Sequence, residues 1–96
     1  MFDKMKELME MKRQADKIKR ELDAMTIESS DVRGIKIVIN GSQVIQSLAI
    51  EEGLIDQANI KRLEEDLKRA INAAIHKSQT IVAQKMRHVL PGFPGL

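Results

Sequence analysis

His76 and His88 are the only histidines in the chain, and cysteine, tyrosine and tryptophan are absent. The two imidazoles stand 12 residues apart, off the i, i+4 spacing of a helical metal pair, with no second histidine or carboxylate in register. They read as surface side chains, and no metal site is expected. Glu64, Glu65 and Asp66 form the densest carboxylate run, but solvated acids are what the start of a helix favours. Gly34 and Gly41 fit hairpin geometry rather than a phosphate-cradling loop. Many common nucleophile and base arrangements cannot be assembled from this inventory, and neither an enzyme nor a cofactor is expected. Phe2 and Phe93 are the only aromatic residues, too few for a platform that stacks unpaired bases.

The chemistry that remains is charge. The chain holds 16 bases and 14 acids, unevenly spread. Residues 1–25 carry 7 bases and 6 acids, residues 26–58 carry 2 and 5, and residues 59–96 carry 7 and 3. The basic flanks are where a polyanion would be met. In the first flank the bases include Lys4, Lys6, Lys12, Arg13, Lys19 and Arg20; in the second, Lys77, Lys85 and Arg87 follow Ala70 with no acid after it. The competing interpretation is an ordinary solvated helix face laced with intrahelical ion pairs.

Three kinds of element must position these bases. From Asp3 to Ala24 there is no Gly or Pro, and Leu8, Met11, Ala15, Ile18, Leu22 and Met25 recur at steps of 3, 4, 3, 4 and 3. That pattern predicts a long amphipathic helix whose a/d-type seam needs a partner. Met5, Met9, Met11 and Met25 are read as ordinary packing along it. Thr26–Ser29 reads as a short strand, and Ile35, Ile37 and Ile39 alternate as in a strand buried on one face. Asn40-Gly41, two residues that tolerate positive φ, predicts a hairpin into a return strand over Val44–Ile50. Asp56 or Asn59 is expected to cap a second helix running to about His88. Pro91, Gly92, Pro94 and Gly95 then end regular structure, giving one domain over 1–90 and a tail over 91–96.

The expected fold is therefore α+β: α-β-β-β-α, with a small antiparallel sheet. Each helix outruns the strands, so the two should project beyond the sheet as a hairpin whose outer halves pack on each other. An antiparallel hairpin would bring Lys77, Lys85 and Arg87 near Lys4 and Lys6 at its open end. At 96 residues and without disulfides, a monomer would be marginal, and self-association is expected. No apolar run is long enough for a membrane span, and MFDKMKELMEMK lacks the apolar stretch of a signal peptide. A cytoplasmic protein is expected.

The order of elements, GIKIVINGSQ, the AINAA segment over Ala70–Ala74 and the tail LPGFPGL together resemble the YbaB/EbfC family of nucleoid-associated DNA-binding proteins. Gly34 to Gly41 matches the family's Gly-strand-Asn-Gly pattern, Asn72 its helix asparagine, and Pro91-Gly92 its Pro-Gly tail. The resemblance implies a bacterial protein of the nucleoid, a homodimer joined through its sheets, with tweezer-like helix pairs gripping double-stranded DNA. On that basis Lys4, Lys6, Lys12, Arg13, Lys19, Lys77, Lys85 and Arg87 are the expected DNA-binding residues, acting mainly on phosphates with little base preference. The alternative is a coiled-coil-like adaptor that docks a protein helix on the apolar seam.

Overall fold

The computed structural model describes residues 2–89; Met1 and the Pro/Gly tail lie outside the described residues. The chain runs α1 (Phe2–Asp23), β1 (Ile27–Ser29), β2 (Ile35–Ile39), β3 (Ile45–Ile50), two single 3-10 turns (Glu52–Leu54 and Gln57–Asn59) and α2 (Ile60–Val89). The strands form one antiparallel sheet in the order β1-β2-β3. This is the expected α-β-β-β-α arrangement.

The alternation in β2 does what a period of two requires. Ile35, Ile37 and Ile39 are buried beneath α2, while Lys36 turns to the opposite face, where its ammonium lies 3.0 Å from Glu28 on β1. Ile27 from β1 completes the sheet's share of the core, and Ala70 and Ala74 supply the share of α2. Small residues one helical turn apart let the helix approach the sheet closely, and Ser78 extends that line by one more turn. Asp56 is the cap: its carboxylate accepts from the Ala58 amide at 3.0 Å and opens the 3-10 turn that feeds α2.

The expected hairpin joins β2 and β3, but its positive φ does not fall at Asn40-Gly41. Asn40 pairs with Val44 across a three-residue loop, and the residue at positive φ is Gln43 (φ 67°), not Gly41. Such a loop is a turn followed by one left-handed residue, and it begins β3 at Ile45 with a bulge opposite Val38 and Ile39. Gly41 is required for another reason. Its amide donates to the Leu22 carbonyl at 2.9 Å, and a Cβ there would stand 2.8 Å from the Met25 sulfur.

Asn40 is the hub of this corner. Its Oδ1 accepts from the Ser42 and Val44 amides, each at 2.9 Å, its carbonyl accepts from the Ser78 hydroxyl, and its Nδ2 donates to the Asp23 carbonyl. Asn40→Ala should therefore leave two loop amides without acceptors and cost about 2–3 kcal/mol, measurable by denaturant unfolding. Nearby, the Ser42 hydroxyl donates to the Asp23 carboxylate and, helped by Lys19, holds its pKa below the ordinary aspartate value despite some desolvation. A depressed native pKa contributes stability above the unfolded-state pKa. That contribution is lost as the pH falls through the native value, so this anchor weakens in acid.

Both helices leave the sheet at this corner, in opposite chain senses. The Lys85 ammonium lies 3.5 Å from Glu21, and Met86 shares an open apolar groove of about 400 Å³ with Ala15, Ile18 and Leu22. The expected packing of outer halves stops there. From Ser78, α2 continues 11 residues to Val89, roughly 16 Å, whereas α1 extends 21 residues from Asp23 back to Phe2, roughly 31 Å. The outer part of α1 has no described counterpart, and Met5, Leu8, Met9 and Met11 are 62–65% exposed. The molecule is accordingly 67 Å long and about 20 Å thick.

Candidate nucleic-acid interface

An α-helix advances about 100° per residue, so α1's bases fall on two sides of it. Lys6, Arg13, Lys17 and Arg20 are separated by 7, 4 and 3 residues and share one face, opposite the seam of Leu8, Met11, Ala15, Ile18 and Leu22. Lys12 and Lys19 lie along a flank of the seam, and Lys4 falls on the seam side itself. All of these bases are exposed.

Ion pairing separates them further. Arg13 reaches Glu10 at 3.4 Å and Lys19 reaches Asp23 at 3.6 Å, both exposed and therefore weak pairs. Among the described residues Lys4, Lys6, Lys12, Lys17 and Arg20 make no ion pair. The open row on α1 thus consists of Lys6, Lys17 and Arg20, with a loosely held Arg13 among them.

The bases of α2 are placed differently. Lys61, Lys68 and Arg69 pair within the helix, with Glu64, Glu65 and Asp66 respectively. That gives the acidic run its role: it neutralises the first turns of α2. Lys77 donates to the Glu28 carbonyl and is tied to the sheet. Lys85 is half-buried against Glu21, while Arg87 is exposed beyond it. Lys85 does not lie beside Lys4 and Lys6. Its partner Glu21 is 15 residues from Lys6, roughly 22 Å along α1, because α2 overhangs the sheet by so much less. His76 and His88 are both exposed, and no cluster of metal-ligating side chains is found among the described residues.

The arrangement is thus a narrow, base-studded rod beside a compact sheet, with the sequence pattern of one family along its whole length. Residues 1–93 match the YbaB/EbfC DNA-binding family. The chain belongs to that family. It is 30% identical over 95 residues to a nucleoid-associated protein of Moorella thermoacetica, covering 93% of this chain and 91% of the relative. It is 32% identical over 88 residues to one of Chloroflexus aurantiacus, covering 91% and 88%. A similar protein of Syntrophobacter fumaroxidans is 29% identical over 98 residues.

In this YbaB/EbfC chain, the residue that pattern-reading of the bases passes over is Lys17. It stands four residues after Arg13 and three before Arg20, so helical spacing alone completes the row. No described helix is long and apolar enough to cross a membrane.

Proposed function

We propose that this protein binds double-stranded DNA as a homodimer, mainly through phosphates, and so helps to organise the bacterial nucleoid. The observation that carries the reading is the exposed row Lys6, Arg13, Lys17 and Arg20 on a helix that projects free of the body, in a chain of a DNA-binding family. Phosphate contacts from such a row set orientation and affinity without reading bases. Lys4, Lys12, Lys19, Lys77, Lys85 and Arg87 add to the positive field around it. A nucleoid location accords with the nucleoid-associated names of the relatives.

The dimer reading has support in β3. Residues directly opposite in an antiparallel pair share a face, so Ile45 and Leu48, opposite Ile39 and Ile37, point to the core side of the sheet. α2 lies over β1 and β2, and this stretch of β3 is left uncovered, with Ile45 40% and Leu48 47% exposed. A second copy covering that face would remove an apolar edge strand from water. Sedimentation should therefore give about twice 10.9 kDa at micromolar concentration, and Leu48→Asp should shift the protein to monomer. A wild-type monomer would end the dimer reading.

The exposed Met5, Leu8, Met9 and Met11 favour a second reading, a seam that docks a partner helix. A gel shift with mixed-sequence duplex at two salt concentrations separates the two. Phosphate binding weakens steeply with salt, and apolar docking does not. Absence of duplex binding at low salt would overturn the DNA reading.

A further inference from the structure

Three arginines meet at the end of the sheet away from the α1 corner. Arg33 comes from the β1–β2 connection, Arg62 from the first turn of α2, and Arg69 from two turns further along it. They line one cleft of about 250 Å³, whose remaining walls are Val32, Leu54, Glu51 and Asp66. The two carboxylates do not cancel the three guanidinium groups. Asp66 is engaged by Arg69 at 2.5 Å, and Glu51, which lines the cleft beside Gly34, leaves three positive charges against two negative. Among the described residues Arg33 and Arg62 make no ion pair, although every other base in the first three turns of α2 does.

Two unpaired guanidinium forks beside a partly apolar wall suit a tetrahedral oxyanion, which each fork can meet with two parallel N–H donors. Lys85, which pairs with Glu21 beside Arg20, is 23 residues along α2 from Arg62, roughly 34 Å, so this cleft is remote from the α1 row. We propose that the cleft of Arg33, Arg62 and Arg69 is a second phosphodiester-binding site, which holds a separate DNA segment and makes the protein a bridge between duplexes. The inference rests on the DNA-binding reading above. It adds, in each protomer, a grip at the opposite end from the α1 row.

The test uses the full-length protein and the double variant Arg33→Gln with Arg62→Gln. Both side chains are exposed, so the variant should fold, which circular dichroism and melting will check. Binding to a single short duplex is measured by anisotropy, and bridging by capture of a labelled duplex on bead-bound duplex. The expected result is a change of less than about twofold in single-duplex affinity, and a fall of about tenfold or more in capture. Unchanged capture by the variant, when the wild-type protein binds the short duplex, would overturn this site alone. An equal fall in both assays would also overturn it, because the arginines would then belong to the first duplex's footprint. Failure of wild-type protein to bind any duplex would overturn the DNA reading, and this site with it.

Discussion

Ile37→Asp should abolish the native fold. Ile37 is fully buried at the middle of the central strand, between Ser29 on β1 and Leu48 on β3. A carboxylate in its place would lie among Ile27, Ile35, Ile39, Ala70 and Ala74, with the neutral hydroxyl of buried Ser29 opposite it on β1 and no positive charge in the cluster. Burying an unpaired charge, added to the lost burial of an isoleucine, costs several kcal/mol. The core cluster is small, and small domains have only about 5–15 kcal/mol in total. Far-UV circular dichroism should show loss of the cooperative melt. Val38→Thr, on the opposite face of the same strand, should melt within about 5 °C of the wild type. A native melt for Ile37→Asp would mean that the two sheet faces are assigned backwards.

That strand is also where the sequence is most informative, and the contrast with its neighbours is physical. Ile35, Ile37 and Ile39 announce β2 because burial on one face imposes a period of two on residue type. The helices are legible for the same kind of reason, with apolar steps of three and four and a cap at Asp56. The hairpin loop is less so. What Gly41 must satisfy is set by Leu22 and Met25 on α1, and the left-handed residue, Gln43, is not of a type that advertises positive φ. Long-range partners decide the candidate site as well. The charges of Lys77 and Lys85 are plain in the sequence, but the Glu28 carbonyl and the Glu21 carboxylate, which engage them, lie 49 and 64 residues away. The short overhang of α2, which separates Lys85 from Lys6, follows from where Ser78 meets Asn40. Helix length alone does not contain that information.

Replacing Lys6, Lys17 and Arg20 together by alanine should remove most of the salt-sensitive part of duplex binding. The three side chains are exposed, make no ion pair among the described residues, and lie on the face of α1 turned from the seam. Alanine favours helix, so α1 should persist and the melting temperature should change little. Each phosphate contact contributes about 0.9 to the slope of log K against log salt, and a dimer presents every residue twice. If all six side chains reach phosphate, the slope should flatten by about five units, and by proportionally fewer if some do not. The loss should be similar on sequences of different base composition, since phosphate contacts carry no base code. Lys12→Ala with Lys19→Ala is the informative comparison, because it removes charge from the seam's flank and leaves the outer row intact. An unchanged slope in the triple variant, with a flattened one in the double, would move the duplex to that flank. Lys85→Ala with Arg87→Ala should have a smaller effect per residue than the row, because Lys85 already shares its charge with Glu21.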